Sequence, residues 1–88
     1  MRARRRPVLD EYHEDGEAAV FVDGNVVVLS PLATHLLSLV GDDWTELAAI
    51  ATGLEAAFGP PPGETSSDEA TRSALGELQE QGILDLRA

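Results

Sequence analysis

The sequence predicts an α+β fold, a three-stranded antiparallel sheet followed by three helices in the order βββααα. Three observations predict it. The first third of the chain carries β-branched runs separated by short polar turns. The remainder carries leucines and alanines at helical spacing, between residues that start and stop helices. Hydrophobic residues make up 43% of the 88-residue chain, enough for a folded core but, at this length, a thin one in a single domain.

Val8–Tyr12 reads as a first strand, interrupted by Asp10 and Glu11, and His13–Gly16 as the polar turn after it. Glu17–Val22 (EAAVFV) is a second strand. It ends at Asp23-Gly24-Asn25, where Gly and Asn tolerate positive φ. Val26–Leu29 (VVVL) is the third strand of the resulting meander. At Ser30-Pro31 the pattern changes: serine caps a helix and proline at its first position gives up an amide that has no partner there. Leu32, Leu36, Leu39 and Val40 follow at helical spacing, and Gly41 ends the helix. Asp43-Trp44-Thr45-Glu46 has the spacing of a capping box, with Thr45 as a competing cap, for a second helix that runs to Phe58. Leu47, Ile50, Ala51, Leu54 and Phe58 form its apolar face, and Gly59 with three prolines stops it. Residues 60–67 are a connecting loop. Ser66 and Glu69 stand at capping-box spacing for the third helix, whose apolar face is Ala74, Leu75 and Leu78 and whose end is marked by Gly82. Ile83, Leu84 and Leu86 close the chain as a short apolar tail.

Sixteen carboxylates stand against six arginines, for a net charge of -10, and four arginines fall within the first six residues. From Pro7 onward two arginines face sixteen acids, a balance of -14. Residues 1–7 therefore read as a disordered, solvated basic start, and 8–88 as the domain. So acidic a body is badly suited to the phosphate backbone of nucleic acid or to an anionic membrane. The absence of cysteine excludes disulfides, thiolate metal sites and thiol catalysis. No apolar run approaches the about 20 residues of a membrane span, and acids rather than an apolar segment follow the basic start. A cytoplasmic protein is expected.

The residues that imitate catalytic or metal chemistry have plainer readings. His13 stands beside Glu14 and Asp15, but three adjacent turn residues do not converge on one ion. His35 lies on the first helix three residues after Leu32, as a partly buried structural histidine would. Asp42/Asp43 and Asp68/Glu69 sit at helix starts, where the macrodipole favours negative charge. The glycines are dispersed at turns and caps, not gathered in a phosphate-binding loop. A carrier-protein reading fails because no serine has the Asp-Ser-Leu context. No enzyme activity, cofactor or metal is expected.

The hairpin is the most informative feature. Along EAAVFV and VVVL, Ala19, Phe21, Val27 and Leu29 alternate with Ala18, Val20, Val22, Val26 and Val28, so both faces are apolar. A sheet covered on one side alternates apolar with polar. The second face is thus either shielded by the chain's own tail, Ile83 to Leu86, or is partner surface. The meander also leaves an edge strand able to accept an extended peptide.

The chain resembles the PqqD-like peptide chaperones, also called RiPP recognition elements. The resemblance runs through the DG-containing strand pair into Val26-Val-Val-Leu-Ser-Pro-Leu-Ala33, then Leu36-Leu37-Ser-Leu39 and a Gly-Asp-Asp turn. It continues in Trp44-Thr-Glu-Leu-Ala48-Ala-Ile50, the stop Phe58-Gly59 and the closing Leu75-x-x-Leu78-x-x-x-Gly82-Ile-Leu84, and covers about residues 17–86. It implies a winged-helix-like fold that binds the leader of a ribosomally made precursor peptide as an added strand, in a groove bordered by the third helix. The strand would be Val26, Val27, Val28 and Leu29; the helix side would come from Arg72, Leu75, Gly76 and Gln79. Ser30-Pro31 and Ala33 depart from the family's pattern before and within the first helix, and the loop 60–67 is longer and richer in proline than usual.

The leading expectation is a non-catalytic chaperone presenting that leader to a separate RiPP-modifying enzyme. On this reading Val27→Pro weakens leader binding more than folding. A winged-helix transcriptional regulator is the alternative, opposed by a third helix with Arg72 alone against Asp68, Glu69, Glu77 and Glu80. A protein-protein adaptor or homodimer using the hairpin edge is the third reading.

Overall fold

A computed structural model describes residues 1–7 and 10–88. In chain order the elements are β1 (Arg2–Arg5), β2 (Asp10–Glu14), β3 (Glu17–Val22), β4 (Asn25–Leu29), α1 (Pro31–Leu39), β5 (Thr45–Glu46), α2 (Leu47–Phe58), α3 (Ser67–Glu80) and β6 (Leu84–Arg87). The fold is α+β, with three helices and two three-stranded antiparallel sheets of order β2-β3-β4 and β5-β1-β6. The expected meander is the first sheet. The second sheet was not expected, and it doubles the strand count.

The meander turns twice on Asp-Gly. Asp15 and Gly16 take φ of 52° and 78°, and Asp23 and Gly24 take 49° and 80°. Two consecutive positive φ values give the two-residue hairpin turn whose twist matches its strands. The turn between β2 and β3 is therefore shorter than His13–Gly16, with His13 and Glu14 paired in the ladder. Asn25, expected in the second turn, pairs with Val22 instead. Of the expected strand Val8–Tyr12, residues 8 and 9 lie outside the described residues; Asp10 to Tyr12 are in β2.

Register decides which side chains share a face. Val20 pairs with Val27 and Ala18 with Leu29, while Phe21 pairs with Val26 and Ala19 with Val28. Ala18, Val20, Val22 and Leu29 are buried beneath α1, with Val27 packed against them. On the outward face Tyr12, Phe21, Val26 and Val28 are 65%, 38%, 55% and 68% exposed. The tail does not shield this face, because β6 pairs with β1 in the other sheet.

That pairing corrects the reading of the N-terminus. Residues 1–7 are not a disordered arm: β1 is the middle strand of β5-β1-β6, and Ala3 is wholly buried. Strand alternation places the small Ala3 inward and Arg2 and Arg4 outward, so the arginines are solvated without unfolding the segment. The same strand changes the start of α2. Thr45 and Glu46 pair with Ala3 and Arg2, and the Leu47 amide donates to the Met1 carbonyl at 2.9 Å. Helix α2 thus begins at Leu47 after Glu46, with no side-chain cap in place of the expected capping box.

The other two helix starts follow the sequence. The Ser30 hydroxyl accepts from the Ala33 amide and the Ser66 hydroxyl from the Glu69 amide, both at 3.1 Å. Past α3, the Ile83 amide donates to Leu78 and the Gly82 amide to Gln79, closing the helix around Gly82 at φ 79°. Helices α1 and α2 approach closely at Gly53, where an added Cβ would lie 2.8 Å from Leu39 Cδ1. One core joins Ala3, Val20, Leu29, Leu36, Ile50, Leu75, Leu78, Ile83 and Leu84 from both sheets and all helices. No helix of the described residues is long and apolar enough to cross a membrane.

Candidate functional site

Strand β4 pairs with β3 alone among the described residues, so its other side is an open edge. The turn at Asp23-Gly24 makes Val22 and Asn25 a hydrogen-bonded pair, and hydrogen-bonded pairs recur at every second residue. Val20 and Val27 are therefore such a pair, and the Val27 amide and carbonyl point to β3. The amides and carbonyls of Val26 and Val28 point to the open rim. Helix α1 holds the hairpin from beneath: Thr34 Oγ1 accepts from the Ala18 amide of β3 at 3.0 Å, and α1 packs across β3 and β4.

The eight expected binding residues divide by burial. Val26 and Val28 are exposed, Val27 is half-buried and Leu29 is a core residue. On α3, Arg72 and Gln79 are exposed and Gly76 is half-buried, with nothing within 4 Å of an added Cβ. Leu75, however, is wholly buried in the core. Leu29 and Leu75 thus support the strand and the helix from within and offer no surface. Helix α3 packs on α2 and β6, and the helix that packs beside β4 is α1.

Sequence reasoning missed an apolar hollow of about 190 Å³ where the three helices meet. It is lined by Leu32 of α1, Leu54 and Phe58 of α2, Pro61, and Ala70 and Thr71 of α3. Leu32 and Phe58 stand about half exposed on its rim, at 42% and 49%. His35 meets Phe58 edge-on, with ring centroids 5.6 Å apart, and so positions the aromatic. The available signal was the aromatic before Gly59 and its prolines, which reads equally well as a helix stop.

The acids group on the outward face of the meander. Asp10 pairs beside Phe21, and Glu14 directly opposes Glu17. Glu11 turns the other way and joins the two sheets. Its carboxylate receives the Arg5 guanidinium and lies 2.8 Å from His13 Nε2. Partial burial alone would raise the pKa of Glu11; the His13 hydrogen bond and then the Arg5 charge outweigh it, holding the carboxyl below the ordinary glutamate value. Among the described residues no group of three or more His, Cys, Asp or Glu is placed to hold a metal ion.

Against known protein families, curated proteins and solved structures, the chain finds no match. The functional reading therefore stands on the geometry of β4 and its surroundings.

Proposed function

We propose that this protein is a non-catalytic, winged-helix-like peptide chaperone that takes the leader of a ribosomally made precursor as an added strand along β4. The observation that carries the reading is the open rim of β4, where the backbone groups of Val26 and Val28 have no partner strand among the described residues. Strand addition draws affinity from those main-chain groups and selectivity from pockets for alternate side chains. The hollow at Leu32, Leu54, Phe58 and Thr71 is a pocket of the kind that takes an apolar side chain. Nothing lies within 4 Å of a Cβ added at Gly76, so that face of α3 is open. Holding the leader raises the effective concentration of the attached core peptide at a separate modifying enzyme.

The regulator reading has less support, since α3 places Arg72 among Asp68, Glu69, Glu77 and Glu80. Titrating the precursor's leader into isotope-labelled protein tests the proposal. Amide shifts should concentrate at residues 26–29 and along Arg72, Gly76 and Gln79, and Gly76→Leu should weaken binding by about tenfold or more without unfolding the domain. Shifts absent from β4 would remove the reading. Tight duplex DNA binding in a gel shift, or a dimer in light scattering without peptide, would favour the regulator or the homodimer.

A further inference from the structure

Five of the six arginines lie on or beside β5-β1-β6. Arg2 pairs with Arg87 on one side and Glu46 on the other, and Arg4 pairs with Asp85. Since Ala3 points into the core, Arg2, Arg4 and Arg87 share the outer face, and Arg6 reaches the same Asp85. Trp44 sits in their midst, with the Arg4 and Arg87 guanidinium carbons 4.7 and 5.0 Å from its ring centroid. Beside them is an open hollow of about 520 Å³ lined by Arg4, Arg5, Arg6, Pro7, Asp42 and Asp85.

The carboxylates present do not saturate this face. Glu46 holds Arg2 at 2.7 Å, but Asp85 is shared between Arg4 at 3.6 Å and Arg6 at 3.7 Å. Arg87 has no carboxylate within ion-pair distance among the described residues. A guanidinium carries five donors in a fork that fits a carboxylate, so unused donors face solvent. The existing pairs are about half exposed, and such pairs exchange at little cost.

We propose that the outer face of β5-β1-β6 docks a short acidic segment of a protein partner, independently of any peptide on β4. The shape and charge of the molecule favour that occupant over a polyphosphate. Trp44 is engaged by two guanidinium groups and is not presented as a platform for bases. A nucleic acid running beyond the face meets a chain of net charge -10, whereas a short acidic segment ends within it.

Trp44 is the sole tryptophan, so its emission and indole N–H signal report on this face directly. Acetyl-hexaglutamate amide at low salt should shift both signals saturably, while acetyl-hexaglutamine amide should not. Arg4→Gln/Arg87→Gln should weaken the response by about tenfold, and salt at about 0.5 M should abolish it. Arg87→Gln alone breaks no ion pair and should give a partial loss, which keeps the test valid if the double variant fails to fold. The proposal is overturned by no saturable shift, by equal binding to hexaglutamine, or by variants that bind like the parent. Tighter binding of a short DNA duplex or single strand overturns it in favour of polyphosphate. A dimer lost on Arg87→Gln assigns the face to a second copy and overturns it equally.

Discussion

The two sheets have the same number of strands and opposite constructions. The sheet β2-β3-β4 is contiguous in sequence, turns twice on Asp-Gly, and presents Tyr12, Phe21, Val26 and Val28 outward among acids. The sheet β5-β1-β6 pairs residues more than forty positions apart in sequence, centres on a buried alanine and presents arginines. In the first, apolar side chains face solvent and, among the described residues, one edge of β4 has no partner strand. In the second, the middle strand has both edges paired and its outward charges meet carboxylates. A chain with so little core keeps apolar surface exposed on one sheet while sealing its two termini into the other. That asymmetry leaves the open backbone edge on the meander and makes the arginine sheet its anchor.

The comparison breaks most sharply at Ala3. Ala3→Asp puts a carboxylate into a wholly buried position at the centre of the arginine sheet, and should cost about 3–5 kcal/mol, enough to unfold much of a domain this small. The matching change on the outward face of the meander, Val28→Asp, should alter stability by only about 0.5 kcal/mol, because Val28 is 68% exposed. Thermal melts followed by circular dichroism measure both. Equal melting temperatures for the two variants would mean that the N-terminal strand does not anchor the fold.

A finer contrast lies within β4. The sequence reading has Val27→Pro weaken leader binding more than folding, but the register turns the Val27 amide toward Val20, so proline there removes a bond of the ladder and should cost about 3 kcal/mol. Val28→Pro removes a donor on the open rim and should change stability by less than about 1 kcal/mol while weakening leader binding by about tenfold. Denaturant melts and a leader titration on both variants check this. The reverse order of stabilities would place the open rim on the other set of amides.

These two sheets also mark what could be read from the sequence. The meander was legible because its register is local: Asp15-Gly16 and Asp23-Gly24 set the turns, and β-branched runs follow within a few residues. The Ser30 and Ser66 caps were legible for the same reason. The arginine sheet was not, because no turn joins β1 to β5 or β6, and a run of arginines weighs toward solvation in any count of composition. Only the alternation around Ala3 hinted at a strand, and a single small residue is a faint signal. Without β1, Thr45 and Glu46 have the pattern of a helix cap; their pairing with Ala3 and Arg2 depends on a strand more than forty residues away. At the candidate site, the edge of Val26 to Leu29 was legible, whereas the burial of Leu75 and the hollow beside Phe58 depend on how three helices meet.

The smallest effect belongs to the contact that joins the sheets. Glu11 of the meander pairs with Arg5 of the arginine sheet and with its own neighbour His13. Its carboxyl titrates below the ordinary value of 4.5. A carboxyl whose pKa is lower folded than unfolded binds fewer protons in the folded state, so its stabilising contribution is complete above the unfolded value. That contribution fades as pH falls from the unfolded value through the folded one. Glu11→Gln keeps the shape and removes the charge, so it should destabilise by about 1 kcal/mol or less at neutral pH. The difference from the parent should shrink as pH falls below about 4.5 and vanish once Glu11 is protonated in both states. Urea melts of the two proteins at several pH values measure that difference. A gap that persists unchanged into acid would mean that the sheets are joined by packing at this point, not by the charge of Glu11.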